Sequence, residues 1–348
     1  MTNTIIILIL AAFGLTAFGV EGWRRLALRR QILDVPNERS SHINPTPRGG
    51  GVIIFAVTLA FLIVGAAQTG SLVFLSPFLL GAVLIAVVSW LDDLYSLPSL
   101  LRLSVHLIAA LLLIFGIGYF KKIELPFYNL NFGIWFAGQI ITLLWIVGLT
   151  NAYNFMDGID GIAGAQGLTA GIGWGLAGWL VDDQLIFLFG GVLAATNLGF
   201  LWHNWHPARI FMGDVGSAFL GFSFAALPLL ATRQTVDTGG GWIIFGFLVV
   251  WTFVFDAVLT FIRRARRGEN VLAAHRSHLY QRLFIAGYSH NKISLWYGLL
   301  SVIGLGLALM WLEANLNEIK LIVIAILALA AVGLWGFVLK VEKTIANN

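Results

Sequence analysis

The residues able to do chemistry in this sequence are carboxylates set in a pattern. The stretch Asn151-Ala-Tyr-Asn154-Phe-Met-Asp157-Gly-Ile-Asp160-Gly161 places two amides and two acids at every third position. On a continuous α-helix each step of three falls ~60° short of a turn, so Asn151 and Asp160 would face opposite sides. Gly158 and Gly161 predict a tightened or broken helix end, where side chains and bare backbone approach one ligand. A polar loop with capping Asn and Asp is the plainer alternative.

Asp92 and Asp93 are adjacent. Neighbours on a helix point ~100° apart, so one is expected to serve a metal or nucleophile and the other a neighbouring helix; an interfacial acidic cap is the alternative. Asp214 lies between glycines in Phe211-Met-Gly-Asp214-Val-Gly-Ser217. At a helix start this sets a hard oxygen ligand beside free N–H groups, an arrangement suited to Mg²⁺ and phosphate, or simply to an N-cap. Pro45-Thr-Pro47-Arg48-Gly49-Gly50-Gly51 reads as a phosphate-holding nest or a glycine hinge. His275-Arg276-Ser277-His278 lies in the most basic loop, near Arg282. Zinc would need a third close ligand there, so anion binding fits these residues better.

These groups must be positioned by membrane helices. Of 348 residues, 59% are hydrophobic and 11% charged, and mean hydropathy is +0.87. Such a chain is no soluble protein, and backbone satisfaction in lipid favours helices. A β-barrel would show short alternating segments instead. Apolar runs near residues 4–20, 51–67, 72–91, 103–120, 133–150, 161–180, 184–202, 210–231, 242–262, 293–312 and 319–339 give an all-α, polytopic integral membrane bundle of about eleven transmembrane helices. The chain reads as a single domain, 1–348.

Arg24, Arg25, Arg29 and Arg30 follow the first run, which places the N-terminus outside and the first loop in the cytoplasm. With strict alternation, only Lys121, Lys122, Arg233 and Lys320 fall outside, and the C-terminus is cytoplasmic. The same alternation puts Asp92, Asp93, Asp157, Asp160, Asp214 and Asp256 at cytoplasmic ends, with His203, His206, His275 and His278. The cytoplasmic loops 35–51, 91–102, 151–161, 203–217 and 263–292 are therefore the expected active site. The net charge of +4 follows this membrane asymmetry and implies no nucleic-acid partner. Absence of cysteine excludes disulfides and thiol chemistry.

An ionised Asp costs ~2.5–3.5 kcal/mol at the centre of a span and less near the interface. Clustered carboxylates also repel one another unless a cation sits among them. A divalent metal with a phosphorylated ligand relieves both effects.

Taken together, the 151–161 motif, Asp92-Asp93, the 211–217 motif and Pro45-Thr-Pro-Arg48-Gly-Gly resemble the polyprenyl-phosphate N-acetylhexosamine-1-phosphate transferase superfamily, in order over roughly residues 35 to 285. The resemblance implies a Mg²⁺-dependent enzyme, with Mn²⁺ as a substitute, in the bacterial cytoplasmic (inner) membrane. It would transfer a sugar-1-phosphate from a UDP-amino sugar to undecaprenyl phosphate, releasing UMP. By position, Asp214 resembles the metal-binding aspartate, and Asp92 and Asp93 the essential paired acids. Asn151, Asn154, Asp157 and Asp160 resemble the nucleotide-site motif, with Asp160 as a uracil contact. Asn204 matches a further polar position. Arg48, Arg102, His275, Arg276 and His278 are assigned to phosphates.

Two departures are visible. His275-Arg-Ser-His278 stands where the muramoyl-pentapeptide branch has three consecutive histidines, so the chain looks like the branch that starts O-antigen or capsule chains. Arg102 and His106 stand where members commonly have lysine and glutamine. The family also makes a homodimer an expectation. The alternative from another class is a polytopic transporter or lipid flippase, which predicts ionisable groups near the midplane and at both faces rather than at one.

Overall fold

In the computed structural model, residues 2–36, 41, 44–131, 135–233, 240–271 and 275–346 are described. Parts of the expected 35–51 and 263–292 loops thus lie outside the described residues. The helices are α1 Thr2–Arg30, α2 Gly51–Gln68, α3 Leu72–Tyr95, α4 Ser99–Gly116, α5 Trp135–Met156, α6 Ile162–Leu180, α7 Gln184–Asn204, α8 Asp214–Ala231, α9 Gly240–Val249, α10 Trp251–Arg266, α11 Leu279–Ile285, α12 His290–Glu313 and α13 Asn317–Ala346. Two small antiparallel pairs join them: β1 Leu33–Asp34 with β2 Thr46–Pro47, and β3 Lys122–Leu125 with β4 Tyr128–Asn131.

Each of the eleven apolar runs centres on helix among the described residues, so the all-α membrane bundle holds. Among the described residues, nine helices are long and apolar enough to cross a membrane, and ten if the bent α9–α10 pair is one span. The run at 242–262 is not straight, because α9 and α10 meet at 82°. The run at 161–180 is α6, which is rich in glycine. Its value is close packing rather than apolarity: a Cβ at Gly190 of α7 would lie 2.1 Å from the backbone N of Gly175. Without a hydrophobic force between helices in lipid, such small-residue contacts let backbones pack directly.

The bundle is organised around α8, whose apolar window is 94% buried, against 22% for α1 and 17% for α13. Gly216 admits the start of α2 and Gly221 admits α5 against it, while Gly81 of α3 receives Phe222 of α8. Outer helices present their apolar faces to lipid instead. Where α9 breaks from α10, the backbone freed in the core needs partners. Gln166 of α6 donates to the Val249 carbonyl at 2.7 Å, while its Oε1 accepts from Thr252 at 2.8 Å and Ser301 at 2.6 Å. This interior satisfaction fixes the bend, and α10 then runs to Arg263, Arg264 and Arg266 in its last turn.

Candidate active site

The start of α2 and the start of α8 are laid against each other at one end of the bundle. Backbone N–H groups of Gly49 and Gly50 donate to the Phe211 carbonyl at 3.1 and 3.0 Å, and that of Gly51 to the Met212 carbonyl at 2.9 Å. The expected phosphate nest is thus corrected: these N–H groups are engaged by backbone. The glycines serve close approach, since a Cβ at Gly51 would meet Gly216 Cα at 2.3 Å. The consequence is that Arg48 is delivered to the first turn of α8.

Arg48 pairs there with both Asp93 and Asp214, the latter at 3.1 Å. Arg102, from the first turns of α4, lies 2.5 Å from Asp92 Oδ2 and 3.7 Å from Asp214 Oδ2. The adjacent acids do divide their tasks. Asp92 accepts the Leu97 N–H at 2.7 Å, closing the turn after α3, and faces Arg102. Asp93 accepts Arg48 and the Asp214 N–H, while its Oδ2 is buried with no partner.

The helix break expected in the 151–161 motif falls after Met156. Asn151 and Asn154 remain on α5: the Asn151 amide donates to the Val147 carbonyl at 2.7 Å and lies 3.2 Å from His106 Nδ1, and Asn154 accepts Ser217 Oγ at 3.3 Å. Asp157 lies in the turn beyond. Burial pushes its carboxyl up to about 7, Asp214 adds to the rise and Arg48 opposes it. Asp157 therefore shares the field of the Asp93–Asp214 group.

Asp160 is turned elsewhere. Its Oδ2 accepts His206 Nδ1 at 2.6 Å and the Ala208 N–H at 3.1 Å, and its Oδ1 lies 3.3 Å from His290 Nδ1. Burial raises this carboxyl, but the hydrogen bonds from His290, His206 and Ala208 outweigh it and hold it below the usual range. Asn204 lies beneath, its amide oxygen accepting the Gly161 N–H at 2.9 Å and its amide nitrogen donating to the Ile210 carbonyl at 2.9 Å. It braces two loops rather than facing the opening.

His275, Arg276 and His278 precede α11. His278 Nδ1 lies 3.0 Å from the buried Asp256, which also accepts Tyr297 Oη at 2.7 Å and two backbone N–H groups. The Tyr280 hydroxyl donates to the Phe155 carbonyl at 3.1 Å, docking this segment on the end of α5. Arg282, expected to join the anion site, instead pairs with Glu342 of α13 at 2.5 Å and donates to the Ser277 carbonyl. Sequence reasoning missed two things here. His206 was visible only as one of several histidines at this end, and His290 carried no spacing signal to Asp160.

Chemically, Asp92, Asp93, Asp157 and Asp214 gather round two guanidinium groups, leaving a surplus of negative charge if all are ionised. Hard oxygens, that surplus and the orphaned Asp93 Oδ2 fit a divalent cation such as Mg²⁺. Asp92, Asp93, Asp157 and Asp214 gather at one end of the bundle, beside the starts of α2 and α8.

An apolar helical bundle with a carboxylate–guanidinium group at one face defines a membrane-embedded protein that does polar chemistry at its surface. Residues 75–232 match the model of glycosyl transferase family 4. A probable undecaprenyl-phosphate N-acetylglucosaminyl 1-phosphate transferase of Bacillus subtilis is 32% identical over 314 residues, covering 88% of this chain and 86% of that protein. A decaprenyl-phosphate N-acetylglucosaminephosphotransferase of Mycolicibacterium smegmatis is 31% identical, covering 84% and 80%. A phospho-N-acetylmuramoyl-pentapeptide-transferase of Heliobacterium modesticaldum is 32% identical over 61% of this chain and 69% of its own length. The chain belongs to glycosyl transferase family 4, within the polyprenyl-phosphate N-acetylhexosamine-1-phosphate transferase superfamily.

Proposed function

We propose that this protein transfers an N-acetylated amino-sugar-1-phosphate from a UDP-sugar to undecaprenyl phosphate, releasing UMP and forming the lipid diphosphosugar that starts a cell-surface polysaccharide such as O-antigen or capsule. The observation that carries this reading is the sharing of Arg48 and Arg102 among Asp92, Asp93 and Asp214 at the mouth of the bundle. Such guanidinium groups exchange carboxylate partners for phosphate oxygens with two donors each. Relatives named for N-acetylglucosamine make UDP-N-acetylglucosamine the first donor to test. The cationic loops at this end orient it towards the cytoplasm of a bacterial inner membrane.

The acceptor phosphate has a second pKa of about 6, so near neutrality it is mostly dianionic and needs no strong base. One of its oxygens attacks the sugar-bearing phosphorus in line, a new P–O bond forms, the bond to UMP breaks, and UMP leaves. Arg48 and Arg102 position the phosphates, Asp92 or Asp93 orients the acceptor, and Asn151, Asn154 and Asp157 meet the nucleotide, whereas Asp160 is held by His206 and His290. Asp214, with the free Oδ2 of Asp93 beside it, would hold Mg²⁺, or Mn²⁺ in its place. Bound there, the cation supplies neutralisation of charge on the pyrophosphate oxygens.

The test is UMP release by purified protein given undecaprenyl phosphate, Mg²⁺ and a panel of UDP-amino sugars. UMP formation with one of them, dependent on both lipid and metal, is expected. Lack of turnover with every sugar of the panel overturns the proposal.

A further inference from the structure

Asp160, His206 and His290 come from three separate parts of the chain: the turn after α5, the loop after α7 and the first residue of α12. Their ligand atoms, a carboxylate oxygen and two imidazole nitrogens, all lie within 4.8 Å of one another. We infer that these three residues form a second cation site, selective for a borderline divalent metal of the Zn²⁺, Co²⁺ and Ni²⁺ class.

The donor set argues for that class. Two imidazoles and one carboxylate are a common zinc-ligand combination, whereas Mg²⁺ prefers oxygen alone. The Asp93–Asp214 group offers only oxygen, so the chain holds two sites of different softness. Both imidazoles turn Nδ1, not Nε2, towards the same carboxylate. His290 Nδ1 also faces the Asp160 backbone N–H as its acceptor, at 3.4 Å. In the tautomer with the proton on Nε2, Nδ1 turns its lone pair inward, 3.3 Å from a carboxylate oxygen, and a cation can take the place of the proton that otherwise links them. At His206 the place is held by a proton, shared with Asp160 Oδ2 at 2.6 Å. Metal binding takes that place: the Nδ1 lone pair goes to the metal and the ring carries its proton on Nε2 instead.

The surroundings are those of held ligands rather than loose surface groups. The Ala208 N–H donates to Asp160 Oδ2, and Ser294 Oγ donates to the Asp160 carbonyl at 2.7 Å. The Phe284 ring packs on His290 with centroids 4.8 Å apart. Such outer contacts orient ligands before the metal arrives. Asp160 and His290 are buried, while the His206 side chain is 38% exposed, which leaves a way in and an open coordination position. A bound metal would tie the turn carrying Asp157 to the loop before α8 and to α12. It would thereby stiffen the edge of the carboxylate group without belonging to it. The inference does not depend on the transferase reading.

The test uses the full chain, purified without a polyhistidine tag, stripped with EDTA and titrated with Co²⁺ in excess Mg²⁺. One equivalent of Co²⁺ with visible ligand-field bands, displaced by Zn²⁺, is expected. His206→Ala should lose the bands and weaken binding at least ten-fold. His206→Gln, which keeps an N–H donor for Asp160 but no imidazole, should lose them too, and Asp93→Asn should keep them. Zn²⁺ should raise the unfolding temperature of the parent protein and not of the His206 variants. Binding that survives both His206 variants, binding abolished by Asp93→Asn, or no binding against Mg²⁺ overturns the site. Transferase activity enters none of these readouts, so failure here leaves the proposed reaction standing, and the reverse.

Discussion

Asp93 accepts the backbone N–H of Asp214 at 3.3 Å, fastening the end of α3 to the first turn of α8. Two acids meet there because one of them offers its N–H rather than its charge. Arg48 then bridges their carboxylates, and Asp93 Oδ2 is left buried and unpaired. Amide replacement keeps the shape of either residue and removes the charge. Asp93→Asn and Asp214→Asn are therefore expected to lower Mg²⁺-dependent UMP release by ~10²-fold or more, the scale of losing a preorganised electrostatic group. Near-normal turnover of Asp214→Asn across a Mg²⁺ titration would remove it from the metal site.

Arg48→Lys tests geometry against charge. Lysine keeps one positive charge but loses the planar guanidinium, whose Nη2 meets both Asp93 and Asp214 while its other N–H donors stay available to a phosphate. Loss of one charge-assisted hydrogen bond, ~1.5–3 kcal/mol, corresponds to about ten- to a hundred-fold in kcat/KM. Steady-state kinetics with the donor varied read this directly, and an unchanged value would show that a point charge suffices.

Arg282→Ala is expected to leave the donor KM within about two-fold, because Arg282 is held by Glu342 rather than turned to the site, and partly exposed ion pairs of this kind contribute ~0–1 kcal/mol. A large rise in KM would return Arg282 to anion binding.

Asp157 gives a pH dependence of stability. Its folded-state carboxyl is raised to about 7, so the folded state binds a proton that the unfolded chain releases at its ordinary carboxylate value. Stability from this group is full below that ordinary value and falls as pH rises towards about 7, levelling off above it. Thermal unfolding of metal-stripped protein across this window should show the fall, and Asp157→Asn should flatten it. An identical profile in the variant would exclude Asp157 as the source.

Gln166→Ala removes the partner of the Val249 carbonyl, Thr252 and Ser301 together. Thr252 and Ser301 keep each other and the Tyr297 carbonyl, so the Val249 carbonyl is the group left unsatisfied, at ~1–3 kcal/mol. A clear drop in unfolding temperature is expected, read by circular dichroism in detergent. An unchanged midpoint would mean that the α9–α10 bend is held by packing alone.

Much was legible from the sequence alone. Hydropathy placed eleven helical segments, because lipid admits little else. Three-residue spacing with Gly158 and Gly161 required α5 to end inside its motif, and it ends at Met156. Adjacent acids on one helix had to face different ways, and Asp92 and Asp93 do. The motifs also carried the family.

Only the tertiary structure decided which groups meet. Arg48 reaches Asp214 across 166 positions, Asp160 meets His290 across 130, and the glycines after Arg48 engage the Phe211 and Met212 carbonyls rather than an anion. The physical reason is that lipid and helix interior are both apolar. Hydropathy along the chain therefore records which segments cross the membrane, while lateral neighbours are chosen by backbone fit at small residues and by polar groups seeking partners, and neither is written in the period of one helix.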